Sequence, residues 1–238
     1  MLQYERQQNI LAYLQQHHTA TIRALAKNIY TSEASVRRDL AALEAEGLVF
    51  RVYGGVVLSE YKNEVVPVEL RESANSAAKE RIAEEAAKRI HDGDTVFFDS
   101  SSTVRRMCKH IKKRKNLKII TNNLRICTEL KDSDITVYCT GGEYFKKRDC
   151  FLGSYAERFI ASINADSVFF SCKGLSENGI LTDVSESEIS IREVMRSHSD
   201  HSYFLCDGSK LGAKYAFTLC HAREITEILC DVPLPHFE

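Results

Sequence analysis

Tryptophan is absent from this chain of 238 residues, and proline occurs three times. So little proline, beside 44% hydrophobic and 27% charged residues, excludes collagen-like, low-complexity and disordered chains and describes a folded protein with a sizeable core. No apolar run approaches the roughly 18 residues that a membrane span requires. The opening MLQYERQQNI is unlike a secretory leader. A soluble, cytoplasmic protein that does not engage membranes is expected. Neither sign of charge is in excess: 32 Lys+Arg face 33 Asp+Glu, a net −1. Any signal for nucleic acid must therefore come from local clusters. The length, set against roughly 150 residues per domain, suggests one small and one medium domain.

Closely spaced cysteines are also missing. The eight stand at 108, 127, 139, 150, 172, 206, 220 and 230, with no C-x-x-C and no zinc-knuckle spacing. Cys139, Cys172, Cys206 and Cys230 end apolar strings (ITVYC, VFFSC, YFLC, EILC). Buried, reduced thiols packed as small hydrophobes are expected. Cys220-His221 is a weak hint of a metal or nucleophile site with no visible partner. G-x-x-x-x-G-K-[ST] and G-x-G-x-x-G are absent, which argues against nucleoside triphosphates and dinucleotides. No metal and no cofactor is expected.

What is present is order along the chain. Residues 1–58 read as three helices and two short strands. Ile10, Leu11 and Leu14 recur at helical spacing in the first helix, and Leu25, Ala26 and Ile29 in the second, with Thr21 as its cap. Ser32 caps the third, Val36, Leu40 and Leu43 form its apolar stripe, and Gly47 stops it. LVFRVYGGVVL is β-prone on both sides of Gly54-Gly55, a hairpin signal. Residues 59–75, polar and holding Pro67, read as a linker. From 76 to 238 a helix (AAKERIAEEAAKRI) precedes alternating signals. Strands are expected at TVFFDS, LKIITN, ITVYCTGG, DSVFFSC, SYFLCD, AFTLC and EILCD. Helices are expected at about 102–114, 123–131, 154–163 and 186–198. Continuous apolar strands between amphipathic helices imply a mostly parallel sheet covered on both faces, an α/β, Rossmann-like domain.

With the apolar stripe of the third helix against the core, Ser35, Arg37 and Arg38 project from its front end. A helix that reads the major groove needs this arrangement, and arginine can fork onto guanine or clamp phosphate. Arg51, Tyr53 and Gly54 suit a wing along the DNA backbone. Two arginines on an amphipathic helix are also an ordinary solvated face, and residues 1–58 hold six Lys+Arg against five Asp+Glu. The order of helices and wing favours DNA.

ERQQNILAYL and TSEASVRRDLAALEAEGLVFRVYGGVV resemble the winged helix-turn-helix of DeoR-type transcriptional regulators, with the helix-turn-helix at about 20–39. The family pattern S-x-x-T-[IV]-R-R-D-L is matched at Ser32, Val36, Arg37, Arg38, Asp39 and Leu40, and Ser35 replaces the usual threonine. The resemblance runs through the chain: TNN, TGG, ADSVFFSCKGLSENGILT, ESEISIREVM and CDGSKLG follow in family order. It implies a repressor of a carbohydrate-catabolism operon that binds double-stranded operator DNA as a dimer or tetramer, and whose affinity a phosphorylated sugar changes.

Ser100, Ser101, Ser102 and Thr103 follow an apolar strand and open a helix, where hydroxyls and N–H groups can hold an anion. The alternative is a capped turn. Other strand ends add candidates, and in an open parallel sheet ligands bind beyond the strands' carboxyl ends. Lys210 suits a phosphate and Asp99 a hydroxyl. The resemblance, whose sensor domain is similar to sugar-phosphate isomerases, implies an effector set of Asp99, Ser100–Thr103, Thr121, Asn122, Lys173, Glu188 and Lys210. Glu188 reads equally as a solvated helix residue. An isomerase with an appended DNA-binding domain is the alternative function; no catalytic residue is assigned, since fold likeness does not carry function. RRMCKHIKKRKNLK (105–118) holds eight Lys+Arg and no acid. It reads foremost as a solvated helix with cations toward its C-terminus, with anion steering or a second DNA contact as alternatives.

Overall fold

The computed structural model describes residues 2–52, 55–59, 71–72 and 75–237. The chain divides into two compact units, Met1–Asn75 and Ser76–Glu238. Tyr53, Gly54 and most of the expected linker 59–75 lie outside the described residues.

The first unit runs α1 (Gln3–His17), β1 (Thr19–Thr21), α2 (Ile22–Asn28), α3 (Glu33–Ala45), β2 (Val49–Val52) and β3 (Gly55–Leu58). Thr21 Oγ1 accepts from Ala24 N–H at 2.9 Å and Ser32 Oγ from Ser35 N–H at 3.2 Å. Each hydroxyl satisfies a first-turn donor that the helix cannot pair itself. α3 ends where Gly47 takes φ +73°, a conformation that costs glycine nothing. Ile10, Leu14, Leu25, Val36, Leu40 and Leu43 meet in one buried cluster with Val49 and Val56 of the sheet. The antiparallel order is β1-β3-β2. β1 is additional to the expected elements; three residues are too few to show alternation. Asp39, fully buried, accepts Arg6 Nε at 2.8 Å and Nη2 at 3.1 Å. This fork ties α1 to α3.

The second unit contains β4 (Thr95–Phe98), β5 (Lys118–Thr121), β6 (Thr136–Cys139), β7 (Glu143–Phe145), β8 (Cys150–Leu152), β9 (Ala165–Phe170), β10 (Gly174–Leu175), β11 (Ile180–Asp183), β12 (Ser199–Cys206), β13 (Phe217–His221) and β14 (Glu227–Cys230). Its helices are α4 (Ser76–Ala87), α5 (Ser102–Arg105), α6 (Cys108–Ile111), α7 (Leu124–Glu129), α8 (Ser154–Ala161) and α9 (Glu186–Ser197). Six strands form one sheet, ordered β14-β12-β9-β4-β5-β6, and every pairing in it is parallel. Val96, Phe98 and Phe169 join one apolar cluster with Ile82, Ala86 and Ile111. Phe97, Val168, Phe170 and Phe204 join the other with Ile160, Ile191 and Met195. Both faces are covered at the centre of the sheet, which is why the VFF runs of β4 and β9 are apolar rather than alternating. Each fully buried phenylalanine contributes roughly 1.5–3 kcal/mol by leaving water.

Three expectations are corrected. The helix expected at 102–114 is two single turns, because Arg106 and Met107 N–H groups reach back only three residues, to Thr103 and Val104. AFTLC does not join the parallel sheet; β13 pairs antiparallel with β11 in a separate three-stranded sheet. Cys139 is exposed, and Cys127 and Cys230 are half-buried. β6 and β14, which carry Cys139 and Cys230, are the edge strands of the parallel sheet, and most residues of β6 face solvent.

Candidate functional site

In the first unit the front of α3 is polar and open. Ser32 and Ser35 hydroxyls lie 3.0 Å apart, and Arg38 Nη2 reaches Ser35 Oγ at 3.5 Å. Arg37 pairs with Glu33 at 2.8 Å, both well exposed; such a surface pair contributes little and is readily exchanged for another anion. Arg51 on β2 is held by Glu44, which accepts its N–H at 2.9 Å and its guanidinium. Glu44 thus fixes the wing's cation to the back of α3. Tyr53 and Gly54 are outside the described residues.

In the second unit the strand order reverses between β4 and β9. From β4 the chain builds outward through β5 and β6, then returns to place β9, β12 and β14 on the other side. Ligand crevices form at such a reversal, beyond the strands' C-terminal ends. Asp99 follows β4 and Ser171 follows β9. Asp99 Oδ2 accepts from Ser171 N–H at 3.2 Å and from Arg192 Nε at 2.9 Å, while Oδ1 accepts from Ser101 N–H at 2.9 Å. Arg192 also donates to Asp183 Oδ2 at 2.8 Å and approaches Glu188 Oε1 at 3.5 Å. Glu188 Oε1 further accepts from Arg148 Nη1 at 2.7 Å and from Ser100 Oγ at 3.0 Å. Asp99, Arg148, Asp183, Glu188 and Arg192 are each no more than 3% exposed. Burial opposes the Arg192 charge, yet Asp183, Asp99 and Glu188 hold its pKa well above the ordinary value. Glu188 is therefore no solvated helix residue; it is 1% exposed.

The remaining candidates sit around this cluster. Lys210 donates to Ser171 Oγ and stands 3.8 Å from Asp207. Ser101 Oγ accepts from Val104 N–H at 3.2 Å and so caps α5. Because α5 is one turn long, its dipole is small, and any pull on an anion comes from local N–H groups and hydroxyls. Thr103 is buried beside them. Thr121 Oγ1 accepts from Asn123 N–H at 3.0 Å. Asn122 Nδ2 donates to Phe151 C=O at 3.0 Å, leaving its buried Oδ1 without a partner among the described residues. Lys173 holds its ammonium 4.6 Å over the Tyr215 ring. Three residues that the sequence reasoning missed belong to the cluster: Arg148, Asp183 and Arg192. Lys79 is a fourth, buried and donating to Ser102 Oγ at 3.2 Å. The only signal for Arg192 is its i+4 spacing from Glu188, which any surface ion pair shares. Among the described residues no cluster of metal-ligating side chains occurs. Cys220 is buried with its thiol pKa pushed up to about 11, chiefly by burial, and His221 Nδ1 accepts from Arg223 N–H.

A capped, arginine-bearing helix with a β wing, followed by a parallel α/β unit with a buried charged cluster at its strand reversal, defines a DNA-binding transcription regulator with a sensor domain on the same chain. Residues 6–62 match the DeoR-like helix-turn-helix domain and residues 74–232 the DeoR C terminal sensor domain. The chain belongs to the DeoR family. It is 31% identical over 232 residues to the HTH-type transcriptional regulator YulB of Bacillus subtilis, covering 97% of this chain and 90% of that one. It is 30% identical to the transcriptional repressor GlcR of the same organism (97% and 89% covered). It is 27% identical to the lactose phosphotransferase system repressor of Staphylococcus aureus (97% and 93%). Among solved structures, eIF2B delta from Chaetomium thermophilum aligns with a TM-score of 0.52 at 17% identity, covering 87% of this chain and 66% of that one. This likeness concerns the fold alone. No helix among the described residues is long and apolar enough to cross a membrane.

Proposed function

We propose that this chain is the repressor of a carbohydrate-catabolism operon, that it acts as an oligomer, and that a small phosphorylated sugar sets its operator affinity. The observation that carries the effector half is the meeting of loop 99–103, Glu188 and Lys210 around the β4/β9 reversal, with Asn122 at the end of neighbouring β5. Lys210, with three donors of which Ser171 takes one, and the hydroxyls of 100–103 receive the phosphate. Glu188 and Asn122 take sugar hydroxyls. Lys173, stacked on Tyr215, contributes charge from the rim. Asp99 positions the loop rather than touching the sugar, since Ser101, Ser171 and Arg192 occupy its carboxylate. In the first unit Ser32, Ser35, Arg37 and Arg38 read the major groove, and Arg51, Tyr53 and Gly54 follow the backbone. GlcR and the lactose system protein are named as repressors, which supports the sign of control. We read the chain as a regulator and not an enzyme, because its relatives are named as transcriptional regulators and repressors and likeness of fold to enzymes does not carry catalysis.

Thermal shift with triose, pentose and hexose phosphates, each beside its free sugar, tests the effector. The right phosphate at about 100 times Kd stabilises by roughly 2.7 kcal/mol, its free sugar does not, and Lys210→Met abolishes the shift while leaving ligand-free DNA binding intact. A normal response in Lys210→Met would overturn the phosphate assignment. Turnover of any of these sugar phosphates would overturn the non-enzymatic reading. For the DNA half, Arg37→Ala and Arg38→Ala are each expected to cost about 1–3 kcal/mol of affinity for DNA from the upstream region of the protein's own gene, read by fluorescence anisotropy. Unchanged binding in the double variant would reassign the helix.

A further inference from the structure

Basic residues of this DNA-binding chain are concentrated away from its DNA-binding domain. Residues 1–58 carry six Lys+Arg against five Asp+Glu, and Arg6 is committed to buried Asp39. The eight Lys+Arg of 105–118 divide into two groups. Arg106, Lys109 and His110 converge on Glu80, and Arg105 pairs with Glu129. Arg105, Arg106 and Lys109, with the His110 ring, hold α6 and its flanks to α4 and α7. Lys112, Lys113, Arg114, Lys115 and Lys118 have no ion pair among the described residues, and all but half-buried Arg114 are exposed.

A solvated helix does not explain this second group. α6 is a single turn that ends at Ile111, so its dipole is too small to account for the run of cations that follows it. They stand on an ordered turn. Lys115 N–H donates to Asp92 Oδ1 at 3.0 Å, Lys115 C=O accepts from Gly93 N–H at 2.9 Å, and Lys118 N–H donates to Asp94 C=O at 2.9 Å. Facing carboxylates are few. Asp92 is engaged by that backbone N–H, and Asp94 accepts from His91 N–H at 2.7 Å. Asp132 and Asp134 precede β6, whose Thr136 is in register with Lys118, and Lys131 accompanies them. Like charges side by side repel, and among the described residues no ion pair of these five offsets the repulsion. The turn joins α6 to the start of β5, so it lies at the strands' N-terminal edge, opposite the effector crevice.

We propose that Lys112, Lys113, Arg114, Lys115 and Lys118 form a second nucleic-acid contact, which takes phosphates of duplex DNA without reading its bases. The inference goes beyond the effector and recognition-helix assignments and does not depend on either. Sequence-independent affinity for DNA is set by the number of phosphates neutralised, and log K falls with log salt by about 0.9 per contact. A patch of this kind supplies that affinity where the winged helix is nearly neutral.

The test uses the full-length chain and a random-sequence 40-bp duplex, with anisotropy titrations across a salt series. Lys112→Glu/Lys113→Glu/Lys115→Glu is expected to lower the salt slope by about 2 or more and to weaken binding more than tenfold at low salt. Arg37→Ala/Arg38→Ala should keep most of the native slope. Equal slopes for the native chain and the triple variant overturn the proposal and leave the patch to an acidic protein partner. No binding by the native chain would also overturn it, and would do so by removing non-specific DNA affinity itself. If the triple variant melts lower than the native chain, Lys113→Gln alone, on an exposed side chain, carries the test with an expected fall of about 0.9, and an unchanged slope there overturns the proposal equally.

Discussion

Arg192 is among the largest fully buried side chains of the described residues, at 1% exposure. A guanidinium survives there because Asp99, Asp183 and Glu188 surround it. Breaking such a set from one side strands buried charge, which costs more than the set contributes when whole. Arg192→Met is therefore expected to destabilise the sensor unit by about 3–5 kcal/mol in urea unfolding. Arg192→Lys should recover little, since an ammonium cannot fork between two carboxylates. A loss under about 1 kcal/mol would show that the carboxylates find other partners. Cys139 is the other residue with an individual chemistry. Contact with the neighbouring Cys127 thiol lowers its pKa to about 6, against a smaller opposing effect of burial; half-buried Cys230 beside Cys206 is lowered to about 7, while Cys108, Cys172 and Cys206 are pushed up. Thiolate is the reactive form and predominates above the pKa. Iodoacetamide at pH 7 should thus label exposed Cys139 first, and Cys127→Ala should slow it. Uniform labelling of the eight cysteines would contradict this.

The elements that carry function are short and are held by particular residues. Ser32 caps α3, so Ser32→Ala is expected to cost about 1 kcal/mol of stability, separately from any effect on DNA binding. Gly142 shows how the sensor's hairpin is seated. Its φ is +108°, and an added Cβ would lie 2.6 Å from Leu152 C=O and 3.2 Å from Ala156 Cβ. Gly142→Ala should destabilise by at least about 1–3 kcal/mol through strain alone. Because the connection between β7 and β8 carries Arg148, it should also weaken effector binding. Calorimetry and the thermal-shift panel measure the two effects, and full effector affinity in Gly142→Ala would uncouple the hairpin from the site.

For the whole molecule, one winged helix buries too little DNA for tight, specific binding, so two or more copies are expected to act together through the sensor unit. A fragment ending near residue 75 should lose most operator affinity even where circular dichroism shows it folded. A strict monomer by light scattering, with and without DNA, would refute this.

Much of this architecture is legible along the chain, because helix and strand periods are local. Val36, Leu40 and Leu43 place Arg37 and Arg38 on an outer face without any tertiary information, and the apolar strings that become β4, β5, β9 and β12 already indicate a sheet covered on both sides. Local signals fail where elements are too short, as at β1 and the single turns α5 and α6. The charged cluster at the strand reversal is legible in part. Its loop and Glu188 stand out by motif, whereas Arg148, Asp183 and Arg192 do not. Arg148 lies within a run of charge, KKRD, that reads as solvent-exposed, and Glu188 and Arg192 look like a surface pair. What buries them is the return of the chain to set β9 beside β4, which brings Asp99 and Arg192 together across 93 positions. Sequence spacing dictates which face of a helix or strand a side chain occupies; which charges meet in the interior is decided only when distant elements pack and exclude water.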